Sequence, residues 1–480
     1  MIEEIGNSKG QRRAMFAAVL CFFWAGMAAC LLPAVVATST PTPVATVTPA
    51  VVTATAATAP PSGPWLVLAG PDGLWAFDTA GGVLTRPESR VPLAPQDVTA
   101  MSAPAGGRVA YITGRDGIED LALNVLRLAD GRIDVIDLIP PEHIPPPGTA
   151  PGDPAAEAVR AIFERTSLSW SPDGERLAFV GLLAAGNADL YVVEVGELEE
   201  PAGARMIVRL TASAAQEVDP AWSPDGEWLV YAAVETFGAG AGHTLAGVRV
   251  VRPDGSGDRL LYDPEGSGGE SWLGWLDDRT LAVHSWTPVC GSERLRAVDL
   301  EMGESRALWA GPFNGAALDP GTGSLLVSVD RFTSGCPGAA GEGLYFIPGT
   351  GGGPVRIAEA EAFLPVWSAE AGLFFARTSE AVLAVDPGGS AVVIQAPAPI
   401  LPASGFGGLL AWASGGGIWV GGIGEAPRQV FEGNAALPAW GPAGDALYFL
   451  GEAGLYRVVG GEVDLVGDGV TGAVGVWVRP

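Results

Sequence analysis

The sequence predicts an all-β fold: a single ring-closed β-propeller of about eight four-stranded blades, with seven or nine as the alternatives, behind an N-terminal membrane segment. Three observations carry this expectation. A turn-centred unit recurs along the chain, and the two ends of the folded part are complementary fragments of one such unit. The composition, with 68 Gly, 40 Pro and only 17% charged residues, suits many short strands joined by tight turns.

Taken in order, residues 1–13 form a short N-terminus expected in the cytoplasm. Residues 14–38, AMFAAVLCFFWAGMAACLLPAVVAT, hold no charge and are long enough for a spanning helix. Lys9, Arg12 and Arg13 precede them, and no Lys or Arg follows until Arg86, which places everything after the segment outside. An uncleaved anchor is the first expectation; cleavage near Ala37 or lipidation at Cys30 would export the remainder equally. Residues 39–63, uncharged and rich in Thr, Pro, Ala and Val, read as an extended stalk.

The folded part is expected over 64–480. Its clearest copies are LSWSPDGERLAFVG (168–181) and PAWSPDGEWLVYAA (220–233). A short strand ends in Trp170 or Trp222. Pro172, Asp173 and Gly174, or Pro224, Asp225 and Gly226, make the turn, and an alternating apolar strand returns. Weaker copies centre on Ser102, Trp275, Leu318, Trp367, Ser404 and Trp440. Because Trp170, Trp222, Trp275, Trp367 and Trp440 share one repeat position, they read as packing between blades rather than as a ligand platform. Third and fourth strands follow each pair, so the unit is a four-stranded meander that needs neighbours to bury both faces.

At the front, WLVLAG, GLWAFD and GGVLTR resemble second, third and fourth strands. At the back, GAVGVWVRP resembles a first strand, and pairing the two would close the ring. Between the second and third units, 140–166 form an insertion: a Pro-rich loop, then a short helix capped by Asp153, with Pro154 at its first position.

At its SPDG turns the sequence resembles the TolB-like, WD40-like propeller repeats of bacterial exported proteins, over most of 65–480. The turn RPDGSGDRLLYD resembles that family's link between third and fourth strands. The resemblance implies the fold. It leaves function open, because one repeat serves scaffolds, binding modules and the propellers of prolyl-oligopeptidase-like peptidases. With neither the family's α/β domain before the ring nor a hydrolase domain around it, a translocation or peptidase role is not the expectation.

The formal net charge is −27, a field that repels nucleic acid and anionic lipid. The G-x-S-x-G pattern occurs only as GNSKG at 6–10, outside any domain. Lys9 is the sole lysine, which excludes a phosphate-loop or Schiff-base lysine from the ring. His143, His243 and His284 have no metal-binding spacing, and His284 reads as a structural or rim residue. Asp254, Ser256 and Asp258 are spaced like calcium ligands but lack the following Gly and distal Glu, so they read as a turn. Asp277 and Asp278 likewise occupy a turn. No catalytic residue, metal ligand or cofactor site is therefore expected.

The expected function is a non-catalytic, extracytoplasmic binding or scaffold propeller for a protein, peptide or cell-envelope glycan. The alternative is a glycoside hydrolase or lyase using carboxylates in the channel. Candidate ligand contacts are Trp286 and Phe332, which lie outside the repeat register in loops after the second strands of consecutive blades. Cys290 and Cys336 lie in the same loops and are expected to form a disulfide bracing them.

Overall fold

The computed structural model describes residues 62–480 apart from 86–101, 114–120, 196–206, 238–242, 263–268, 287–293 and several shorter gaps. The membrane segment expected at 14–38 and the stalk at 39–63 lie outside the described residues but for Ser62 and Gly63. No described helix is long and apolar enough to cross a membrane.

Described strands form nine antiparallel sheets, one per blade. Blade 1 takes β1 (Trp65–Gly70), β2 (Gly73–Asp78) and β3 (Val83–Thr85). Blade 2 has β4 (Arg108–Thr113), β5 (Ala122–Arg127) and β6 (Arg132–Asp137). Blade 3 has β7 (Leu168–Trp170), β8 (Arg176–Gly181), β9 (Asp189–Glu194) and β10 (Ile207–Arg209). Blade 4 has β11 (Gln216–Trp222), β12 (Leu229–Phe237), β13 (His243–Val251) and β14 (Arg259–Tyr262). Blade 5 has β15 (Gly269–Trp275), β16 (Thr280–Trp286), β17 (Arg294–Asp299) and β18 (Ser305–Ala310). Blade 6 has β19 (Gly315–Leu318), β20 (Leu325–Val329), β21 (Gly343–Ile347) and β22 (Val355–Ala358). Blade 7 has β23 (Phe363–Ser368), β24 (Leu373–Arg377), β25 (Ala381–Val385) and β26 (Ala391–Gln395). Blade 8 has β27 (Ile400–Phe406), β28 (Leu409–Ser414), β29 (Gly417–Gly422) and β30 (Arg428–Glu432). Blade 9 has β31 (Ala435–Trp440), β32 (Leu447–Gly451), β33 (Gly454–Val459) and β34 (Glu462–Asp468). Finally β35 (Val474–Val478) returns to blade 1 and pairs antiparallel with β1, from Trp65 opposite Val478 to Ala69 opposite Val474.

Nine blades correct the expected eight. Every internal unit, including those whose turn has lost the SPDG signature, keeps the alternation that lets three or four strands pair and bury a face against a neighbour. In blade 2 the described residues before β4 contribute one bridge, between Ser102 and Val109. Ser102 Oγ donates to Trp477 O of β35 at 2.8 Å, and Gly107 N donates to Arg479 O at 2.8 Å.

Apolar clusters join each blade to the next around the whole circle. Val67 and Val109 share one, Leu281 and Val250 another, Phe374 and Phe346 a third, and Leu66 and Tyr448 the one that closes the ring. First strands of neighbouring blades touch one another, as in β7 with β11 and β19 with β23, so these strands line the axis. In the SPDG turns Gly174 and Gly226 take φ of 72° and 69°, a conformation that favours glycine. Ser171 Oγ and Ser223 Oγ each donate to the turn Asp at 2.5 Å. Prolines interrupt several first strands: pairing shifts register between Val218 and Ala221, Phe363 and Val366, and Ala436 and Ala439, because proline has no N–H for the ladder. The inserted helix α1 runs Pro154–Glu164, with the Asp153 carboxylate accepting from Ala155 N at 3.0 Å.

Candidate functional site

A meander alternates its connections between two ends, so the SPDG turns share one face of the ring. The loops after second strands and the links between blades share the other. Helix α1 sits on that second face, packed against β8, β11 and β12. Glu157 on α1 accepts from Phe237 N at 3.0 Å, and Arg160 donates to Phe237 O at 3.2 Å.

Immediately after α1, Arg165 reaches the channel-lining strands. Its Nε donates to Asp219 Oδ2 at 3.0 Å, its Nη2 pairs with the same oxygen, and Nη2 also donates to Glu270 O at 3.3 Å. Asp219 Oδ1 accepts from Thr166 N at 3.0 Å, and Asp219 O accepts from Trp272 Nε1 at 2.7 Å. Asp219 has φ of 54° and stands just before Pro220, in a left-handed conformation that its short carboxylate tolerates by local hydrogen bonding. Arg165 and Asp219 thus tie the segment that leads into β7 to the first strands of blades 4 and 5.

Three further acidic groups lie in the same three blades. Glu270 is buried, accepts from Arg296 Nη2 at 3.1 Å, Ser285 Oγ at 2.9 Å and Tyr262 OH at 3.2 Å, and burial pushes its carboxyl up despite the guanidinium. Asp189 is fully buried against Arg209 Nη2 at 2.5 Å, and burial raises it as well. Glu217, also fully buried, accepts from Ser213 Oγ at 2.5 Å, while its Oε2 has no hydrogen-bond partner. Burial, with Asp189 nearby adding in the same direction, pushes Glu217 up to about 8, so its carboxyl is largely protonated at neutral pH. None of these carboxylates is presented to solvent across the channel, and no group of three His, Cys, Asp or Glu among the described residues could hold a metal.

On the same face, the loop after β20 displays Phe332, which is 70% exposed. Asp330 Oδ1 collects Phe332 N at 3.1 Å, Thr333 N at 2.7 Å and Thr333 Oγ1 at 2.6 Å, and the Arg331 guanidinium lies 4.6 Å from the Phe332 ring centroid. Cys336, four residues on, is disulfide-bonded. Its expected partner Cys290 lies outside the described residues, and so does the side chain of Trp286, although Trp286 ends β16.

The repeat tryptophans sit between blades. Trp222 is buried, donates Nε1 to Ser169 O of blade 3 at 3.0 Å and carries the Arg176 guanidinium at 4.6 Å. Trp170 is buried, Trp275 and Trp440 pack on apolar clusters, and Trp367 meets Phe374 edge-on at 4.7 Å. Pro172, Asp173 and Gly174, like Pro224, Asp225 and Gly226, occupy the opposite face. The His284 ring lies 4.6 Å from that of Phe313 at a tilt of 48°, and burial pushes the imidazole down to about 4. Asp254 accepts from Ser256 N at 2.9 Å, whereas Asp258 is taken by Arg249 at 3.0 Å and Tyr231 OH at 2.7 Å, so the two carboxylates serve separate hydrogen-bond sets.

Asp219, Glu217, Glu270, Asp189 and Arg165 carry no local motif that marks them in the sequence. A signal existed for the first: VDPAW at 218–222 carries Asp where its sister copy ALPAW at 436–440 carries Leu, a departure from the repeat at the axis.

No family model and no curated protein matches the chain. Solved structures similar to it include a eukaryotic initiation factor (14% identity, 86% of this chain and 98% of that one, TM-score 0.46). A puromycin hydrolase mutant is similar at 17% identity over 77% of this chain, with a TM-score of 0.40, and the chain spans only 60% of its length. TolB from Acinetobacter baumannii is similar at 13% identity over 78% and 83% of the two chains, TM-score 0.31. At these values the propeller assignment rests on the chain's own sheet topology, and no activity carries over.

Proposed function

We propose that the chain is a non-catalytic, extracytoplasmic propeller that binds or scaffolds a protein, peptide or cell-envelope glycan through the face bearing α1 and Phe332. The observation that carries this reading is the contrast between the two kinds of side chain on that face. The carboxylates of blades 3 to 5 are buried or paired with arginine, while Phe332 is held out to solvent on an Asp-capped turn. An exposed, preorganised aromatic beside an arginine is the chemistry of a binding hot spot. The disulfide at Cys336 supports an oxidising compartment, and the uncharged segment at 14–38 supports export and attachment to a membrane.

The alternative, a glycoside hydrolase or lyase, draws on Glu217, whose raised carboxyl would suit a general acid. Its complete burial separates it from any substrate in this conformation. The two readings part in one experiment: the full chain and its Phe332→Ala and Glu217→Gln variants are titrated against an array of envelope glycans and peptides, with product release followed on the same glycans. Binding weakened about tenfold by Phe332→Ala, as for a typical hot spot, with no product formed, is the expected result. Product release abolished by Glu217→Gln would overturn it.

A further inference from the structure

Between Asp386 and Glu425 the ring contains no Asp, Glu, Lys, Arg or His, in a chain whose formal net charge is −27. This stretch builds β26 of blade 7 and the first three strands of blade 8. Among the described residues, strand β26 ends its sheet, bonded to β25 on one side only, so its other edge presents backbone N–H and C=O groups. Val392 and Val393, on opposite faces of the strand, are 37% and 53% exposed.

The other outer strands are protected differently. Among the described fourth strands, Arg132, Asp134 and Asp137 mark β6, Arg209 β10, Arg259 β14, Arg306 β18 and Arg356 β22. Arg428 and Glu432 mark β30, and Glu462, Asp464 and Asp468 mark β34. Charges of this kind blunt an edge against strand addition. Beyond the three-residue β3, β26 has none.

Two copies of so acidic a protein repel each other over most of their surfaces. That repulsion is weakest where both present an uncharged sector. An antiparallel strand about a two-fold axis is self-complementary, since the same residues meet from either side. We propose that β26 is a self-association edge: two copies of this chain pair β26 with β26, joining two outer blades into one continuous sheet.

The test is sedimentation of the full chain over a concentration series, alone and as Val393→Lys, Val392→Lys and Val355→Lys variants. Val355 lies on β22 and is 54% exposed, so it controls for adding a charge to an outer strand. Far-UV circular dichroism confirms that each variant is folded. The expected result is a reversible dimer for wild type and Val355→Lys, with association at least about tenfold weaker in both β26 variants. Raising NaCl from about 0.05 M to about 0.5 M should strengthen the wild-type dimer by screening like charges. A monomeric wild type at high salt, or β26 variants that dimerise as wild type does, would overturn the proposal.

Discussion

Glu217 holds a proton that its exposed counterparts give up, and the consequence is a pH dependence of stability with a defined sign. Its ordinary value of 4.5 rises to about 8 in the folded chain. Between those values the native state binds more protons than the unfolded state, so stability falls as pH rises through this window, by at most about 1.4 kcal/mol per pH unit. Glu217→Gln keeps the shape and removes the titration. Urea unfolding of wild type and variant at pH 5, 7 and 9 should show the variant gaining relative to wild type as pH increases; a constant difference would count against a buried, protonated Glu217. Trp222 makes a second prediction at this scale. Replacing it with Phe forfeits the bond to Ser169 O, about 1 kcal/mol, whereas Trp222→Ala also opens a cavity between blades 3 and 4 and should cost about 3–5 kcal/mol. Chemical denaturation of the two variants separates bond from packing.

At the scale of elements, α1 acts through the residue that follows it. Arg165 and Asp219 are both largely buried, so removing one partner strands the other away from water. Arg165→Met should cost about 2–4 kcal/mol, somewhat less than a fully buried pair. Asp219→Asn, which tolerates the left-handed backbone, should cost less than Asp219→Val, which does not. Differential scanning calorimetry of the three variants gives the ranking. The loop after β20 carries another prediction: peptide mass spectrometry without reduction should recover Cys290 linked to Cys336, and a free thiol at either would refute that pairing. The repeat tryptophans and the SPDG turns were legible at this level because each is a local pattern repeated. The carboxylate node was not. Asp189 on β9, Glu217 and Asp219 on β11 and Glu270 on β15 come from three strands of three blades, and only blade packing brings Arg165 to two of them.

For the whole molecule, the ring closes where β35 pairs with β1 and Trp477 meets Tyr448 of blade 9 at 5.7 Å. Deleting 473–480 should leave β1 with an open edge and expose the apolar seam between blades 1 and 9. The expected outcome is a fall in Tm well beyond that of any single substitution above, with loss of a single cooperative transition. An unchanged melting profile would mean that closure contributes little.

The sequence by itself determined that this chain is a propeller, where most of its strands and turns fall, and that its two ends complete one blade. Strand alternation and turn chemistry act over a few residues and repeat with every unit, so they can be read one unit at a time. Only the tertiary structure decided that the blades number nine, that Pro220, Pro365 and Pro438 coincide with bulges beside the axis, and that acidic residues from three blades are buried at one sector, three of them against arginine. Those outcomes depend on which blade faces which across the ring, and that relation is set by packing between residues far apart in the chain.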